Sequence, residues 1–284
     1  MKQRFITGTL WGIVAIVTFV FMFSPLMGIL VTFFSVMAVH EIEKVANVKN
    51  VPIIVLSLIF AGIVPLFNEY HVLERLNIPQ TPVIIIYVIL LLSLMLAKFE
   101  TTKFEHVAIV IFASISVPYG LSTFMLLRDV YKTYPAAYQQ PSKGFFLFFI
   151  ALSCAWITDI FAYLVGRKLG KHKMSPKISP KKSVEGAVGG VFFTIIFNLV
   201  TLYIFNKYFF ASPIMPYWAI VPITIALSGI GMLGDLSASV IKRNYGVKDF
   251  SNLMPGHGGA MDRFDSCLFV FPALYAFVML MQTI

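Results

Sequence analysis

The chain has 284 residues, of which 58% are apolar and only 12% charged, roughly half the charged share of a soluble domain. That balance excludes a soluble globular protein, and apolar runs that are continuous rather than alternating exclude a membrane β-barrel. The formal net charge is +9, and two cysteines, both inside apolar runs, imply no disulfide framework.

The apolar residues form about nine blocks of bilayer-crossing length, which takes about 20 residues each. They cover 5–22, 26–40, 51–67, 82–98, 107–127, 144–166, 186–205, 217–241 and 263–283. The expected fold is an all-α polytopic membrane protein of about nine transmembrane helices. It reads as one membrane domain, with N-terminal helices over 1–140 and a catalytic region over 141–284. Lys2 and Arg4 imitate the start of a signal peptide, but no small-x-small cleavage site follows, so the first block reads as an uncleaved helix. The second block is short, and Ser24-Pro25 leaves a re-entrant hairpin open there.

Few chemical signals mark the N-terminal half. His40-Glu41-Ile42-Glu43 is no zinc motif, because Lys44 stands where the second histidine is needed. It reads as an interfacial polar cluster, and His71 and His106 read as solvated. Alternating the loops collects most of the 22 Lys and Arg on the side that holds the N-terminus and loops 41–50, 99–106, 167–185 and 242–263. By the positive-inside rule that side is cytoplasmic. Loop 128–143, with Arg128, Lys132 and Lys143, dissents. This segregation makes a membrane surface, and not nucleic acid, the reason for the positive charge.

Further along, Asp159, Ala162, Tyr163 and Gly166 share one face of the sixth span. A carboxylate inside the membrane edge is costly, so Asp159 marks function or a buried partner, with a helix–helix hydrogen bond as the plainer alternative. A basic loop follows from Arg167 to Lys182, interrupted by Pro176 and Pro180, and leads into Ser179-Pro-Lys181-Lys182-Ser183-Val-Glu185-Gly186. Gly229-Ile-Gly231-Met-Leu-Gly234 satisfies a dinucleotide fingerprint but has no preceding strand. These glycines, like Gly186 and Gly190, read as points of close helix approach.

The densest chemistry lies in 239–265. Asp235, Ser239, Lys242 and Arg243 fall at i, i+4, i+7 and i+8, hence on one helical face. Lys248 and Asp249 follow in a loop. Gly256, Gly258 and Gly259 bracket His257, a composition that lets backbone N–H groups approach an anion. Asp262 and Arg263 open the next helix. Asp235 and Asp262 are hard oxygen ligands suited to Mg²⁺ that also binds phosphate oxygens, and a second cation would find room beside them. This is an inventory for handling a polyphosphate.

The stretch resembles the signature of the phosphatidate cytidylyltransferase (CDP-diacylglycerol synthase) family. The family pattern runs Ser-x-apolar-Lys-Arg, four residues, Lys-Asp, a short spacer, Pro-x-His-Gly-Gly, then apolar-x-Asp-Arg-apolar-Asp. Ser239, Lys242, Arg243, Lys248, Asp249, Pro255, His257, Gly258, Gly259, Asp262, Arg263 and Asp265 occupy it. The departures, Met254 and Ala260, remove no functional group. The segment from Ser179 to Gly186 resembles a second family stretch, so the likeness covers roughly residues 144–270.

The resemblance implies transfer of CMP from CTP to phosphatidate, giving CDP-diacylglycerol and pyrophosphate, at the cytoplasmic edge of the inner membrane. Chemistry and resemblance together put Asp235 and Asp262 on Mg²⁺. Lys242, Arg243, Lys248 and Arg263 neutralise the phosphates, His257 with Gly258 and Gly259 cradles them, and Asp249 orients a cation or a lysine. Asp159, Lys181, Lys182, Ser183, Glu185 and Ser239 fall to substrate binding. The implied partners are CTP, phosphatidate, membrane lipid and a second copy in a homodimer. Two other reaction classes stay open: a CTP-dependent lipid kinase, and a proton-coupled transporter using Asp159 as a relay.

Overall fold

Continuous apolar sequence satisfies its backbone in lipid by coiling into α-helices. The computed structural model describes residues 17–253 and 258–283, and is helical almost throughout. The first half carries α1 (Leu26–Val45), α2 (Val51–Glu69), the short α3 (Val72–Arg75), α4 (Gln80–Ala97) and α5 (Phe104–Arg128). The short α6 (Val130–Thr133) leads to α7 (Pro141–Leu169), a hairpin of β1 (Lys173–Ser175) and β2 (Ser179–Ser183), and α8 (Val184–Tyr208). A 3-10 turn then enters α9 (Ile220–Asn244), followed by the short α10 (Met261–Phe264) and α11 (Cys267–Thr283).

Among the described residues 7 helices are long and apolar enough to cross a membrane, and α11 adds a shorter apolar stretch, Cys267–Met281. The blocks expected from 26–40 to 217–241 each coincide with one of these helices. The block 5–22 lies almost wholly outside the described residues. The block 263–283 is broken: α10 ends at Phe264, Asp265 and Ser266 form a turn, and α11 begins at Cys267.

Two expectations change. The second block is one continuous helix of 20 residues, with Pro25 ahead of its first turn, where a missing N–H breaks no intrahelical bond. Because α1 runs on to Val45, Glu41 and Glu43 are helical and buried, 4% and 1% exposed, where solvated side chains were expected. The expected basic loop is the second case. It folds into an antiparallel hairpin in which Lys173 faces Ser183 and Ser175 faces Ser179.

The chain forms two compact units, Met1–Met125 with Asn244–Phe264, and Leu126–Arg243 with Asp265–Ile284. In this grouping segment 244–264 goes with the N-terminal helices. In the first unit, Ile53, Phe60, Val64, Tyr87, Leu91, Val107 and Val110 make an apolar cluster, with the Phe60 and Tyr87 rings stacked 3.8 Å apart. Glu43 lies beside it and accepts a hydrogen bond from Ser57.

In the second unit, small and polar residues do the packing, as expected where lipid is as apolar as leucine. Gly186 and Gly190 of α8 press on the Ala162 and Thr158 carbonyls of α7, leaving no room for a Cβ. Thr158 meets Thr194 at 3.0 Å and Ser228 at 2.8 Å, and Asn198 Nδ2 donates to Thr224 at 3.0 Å, so hydroxyls and amides stitch α7, α8 and α9. Each such bond contributes about 0.6 kcal/mol in a membrane. Arg128 and Lys132 of the dissenting basic loop both pair with Asp129, Lys132 at 3.1 Å. That pairing offsets part of the positive charge the loop presents.

Candidate active site

In the second unit, α9 carries Asp235, Ser239, Lys242 and Arg243 on its last turns, as their spacing predicts. Ser239 Oγ lies 3.5 Å from Asp235 Oδ1, and Lys182 Nζ of β2 forms an ion pair with Asp235 Oδ2. Arg243 Nε donates to the Ile178 carbonyl at 3.4 Å, so the hairpin is held to the end of α9 at two points. Lys181 is exposed, whereas Ser183 is buried and caps α8 by accepting the Gly186 N–H at 3.2 Å.

Carboxylates gather around this helix end. Asp265 is half-buried, interacts with the charges of Asp235, Lys242 and Asp159, and accepts the Ser266 N–H at 2.8 Å. Burial, and after it the charge of Asp235, pushes the Asp265 carboxyl above the usual carboxylate range. Ser266 Oγ donates to Asp159 Oδ2 at 3.3 Å, which gives Asp159 a buried partner. Three carboxylates thus face two lysines, Lys182 and Lys242. The surplus is one negative charge when all are ionised, an arrangement a divalent cation would relieve. Asp265 had been placed inside the last helix; the break before Cys267 brings it to this cluster instead.

Glu185 is tied to the base of the hairpin. It accepts the Lys171 N–H at 3.0 Å and the His172 N–H at 3.1 Å, and pairs with His172 Nδ1 at 2.6 Å. Its position at the start of α8 lets it close the base of the hairpin through these bonds.

The first unit holds the rest of the polar stretch. Lys248 and Asp249 are exposed, and His257 lies outside the described residues. Asp262 Oδ2 accepts the Phe250 N–H at 2.8 Å and the Gly259 N–H at 2.9 Å. The Gly259 N–H expected to meet a phosphate is therefore taken by Asp262, three residues on, where a carboxylate naturally caps a short helical turn. Gly258 has φ +81°, a conformation that favours glycine, and a Cβ there would meet Asp262. Arg263 is half-buried, and its Nε is buried without a hydrogen-bond partner among the described residues.

One residue of this loop's surroundings escaped the sequence reading. Glu41 accepts the Ser251 hydroxyl at 2.6 Å and the N–H groups of Ala260 and Met261, both at 2.9 Å. By hydropathy Glu41 falls just past the block 26–40, and only the continuation of the helix to Val45 makes it a buried, partnered carboxylate.

Both proposed metal carboxylates retain chemistry suited to Mg²⁺, which takes one or two carboxylates and leaves other positions to water and phosphate. Among the described residues Asp235 Oδ1 has only the long Ser239 contact. Among the described residues no three His, Cys, Asp or Glu side chains would hold a metal ion by themselves.

Comparison with known proteins bears on these residues. The Cytidylyltransferase family matches residues 2–281. The chain is 34% identical over 283 residues to the phosphatidate cytidylyltransferase of Bacillus subtilis (strain 168), covering 97% of this chain and 96% of that one. It is 32% identical over 276 residues to the phosphatidate cytidylyltransferase of Staphylococcus aureus (strain COL), covering 96% and 97%.

Proposed function

Because this chain belongs to the Cytidylyltransferase family, we propose that it transfers CMP from CTP to phosphatidate, forming CDP-diacylglycerol and pyrophosphate. The observation that carries this reading is the ion pair of Lys182 with Asp235, which ties the second family segment to the helix on which the first begins at Ser239. A phosphate oxygen of the lipid attacks the α-phosphorus of CTP in line. The bond from that phosphorus to the bridging oxygen breaks, and its electron pair leaves on pyrophosphate. A phosphate monoester is already an adequate nucleophile near neutral pH, so positioning and charge neutralisation supply the catalysis.

Lys242 and Arg243 at the end of α9, with Lys248 and Arg263, neutralise the nucleotide phosphates and the leaving pyrophosphate. The orphaned Nε of Arg263 suits an anion acceptor. Lys181, Lys182 and Ser239 contact the lipid phosphate or the nucleotide, His257 contacts phosphate oxygens, and Asp249 orients a lysine. Gly258 and Gly259 let the loop close on its carboxylates. Asp235 and Asp262 are each proposed as ligands to Mg²⁺, which when bound would offset charge on phosphate oxygens. The protein is proposed to lie in the inner membrane with its N-terminus and this chemistry cytoplasmic. Its assembly as a homodimer rests on family likeness.

The test uses purified protein in detergent with phosphatidate, Mg²⁺ and CTP labelled at the α or the γ phosphorus. Cytidylyl transfer puts the α label into lipid and the γ label into pyrophosphate. Label entering lipid only from the γ position would make the protein a lipid kinase and overturn the reading. No label in lipid from either position would point to transport.

A further inference from the structure

Glu41 stands in α1, in the half of the chain where the signature has no residues, yet among the described residues every hydrogen bond its carboxylate accepts comes from segment 251–261. Oε1 accepts Ser251 Oγ at 2.6 Å and the Ala260 N–H at 2.9 Å, and Oε2 accepts the Met261 N–H at 2.9 Å. The side chain is 4% exposed. Gly259 lies so close that a Cβ there would run into both carboxylate oxygens. The partners are far apart in the chain, with Ala260 standing 219 positions after Glu41. A buried carboxylate in an apolar helix is expensive unless its acceptors are filled, and here they are filled by the turn that opens onto Asp262 and Arg263.

We propose that Glu41 is a positioning residue for the reaction: from α1 it fixes the Gly258–Met261 turn, and so sets the directions of Asp262 and Arg263. Asp262 grips the same turn through the Gly259 N–H at 2.9 Å and the Phe250 N–H at 2.8 Å, so two carboxylates hold the turn. Neighbouring Glu43, equally buried, is turned to Ser57 instead and takes no part. It is a control for the cost of disturbing a buried acid in this helix.

The inference rests on the cytidylyltransferase reading, and wild-type turnover separates the two: an inactive wild type counts against that reading and leaves the loop measurements to judge Glu41. Glu41→Gln keeps the shape but sets an amide against backbone donors. Its kcat, normalised to folded protein recovered by size exclusion, is expected to fall about 100-fold, the scale of a misplacement of about 1 Å. The KM for phosphatidate should stay within about threefold, because this residue is not assigned to the lipid. Amide exchange in a peptide covering 258–264 should accelerate while peptides from α7 and α8 stay unchanged. Glu43→Gln should keep both kcat and that exchange near wild type.

A double-mutant cycle adds a second measurement. Gly259→Ala is expected to impair turnover through its clash with Glu41, and Glu41→Ala with Gly259→Ala should be no worse than Glu41→Ala alone. Should Glu41→Gln fail to fold, this cycle and the exchange of Glu41→Asp decide the matter. Near-normal kcat and exchange in Glu41→Gln, equal damage from Glu43→Gln, or losses that simply multiply in the double variant would each overturn the proposal.

Discussion

Asp235 carries a charge in a helix that is otherwise mostly apolar, and its neighbours decide what that costs. Lys182 pairs with one oxygen and Ser239 approaches the other at 3.5 Å. Removing one member of a partly buried pair strands the other, which is worse than never having had the pair. Asp235→Asn is therefore expected to lose turnover by about 100-fold or more, the scale on which removing a group that stabilises transition-state charge is felt. Lys182→Ala should also slow turnover, and the two losses should fall short of multiplying, because the residues act as a unit. Rates measured at saturating CTP and phosphatidate check this; near-normal turnover in Asp235→Asn would remove it from the metal assignment. Asp262→Asn is a harsher change than its shape suggests. One carboxylate oxygen receives two N–H groups, so an asparagine keeps both only with its amide oxygen turned to them, and it still loses the charge.

At the scale of elements, helix pairing in the second unit turns on which glycines are pressed. Gly190 has the Thr158 carbonyl 2.6 Å from where its Cβ would be, whereas Gly229 has nothing within 4 Å. Gly190→Ala must push α7 from α8 and is expected to destabilise the protein by about 1–3 kcal/mol. Gly229→Ala meets open space, and gains about 0.5–1 kcal/mol from the lower backbone entropy of the unfolded chain. Thermal unfolding in one detergent should move in opposite directions for the two. Matching shifts would mean that the close approach at Gly190 does not govern the packing. The hairpin follows the same logic of local closure, with Glu185 binding both backbone and side chain at its base.

For the whole molecule, the central question is orientation. Alternating the nine expected spans would gather most basic loops on one side, and the dissenting loop has its Arg128 and Lys132 paired with Asp129. Lys173 and Lys248 are exposed and expected to face the cytoplasm, while the exposed Tyr70 and Lys207 face the opposite side. Cys154 and Cys267 are buried, so single cysteines introduced at these four positions report without interference. An impermeant maleimide added to intact cells should label positions 70 and 207 and spare 173 and 248. The reverse pattern would invert the topology and move the proposed site away from cytoplasmic CTP.

Helix positions, the shared face of Asp235, Ser239 and Lys242, and the family signature were all legible in the chain, because hydropathy, period and motif spacing are properties of neighbours in sequence. Small residues in apolar runs also marked Gly186 and Gly190 as packing points. What the chain could not disclose depends on partners distant in sequence. Lys182 and Asp235 are 53 residues apart, and Ser266 and Asp159 are 107 apart. Glu41 looked like an interfacial charge because its donors lie more than 200 residues further on. The Gly259 N–H seemed open to a phosphate until Asp262 folded back to take it. A buried polar group is read correctly only once its partner is known, and in this protein tertiary packing supplies the partner.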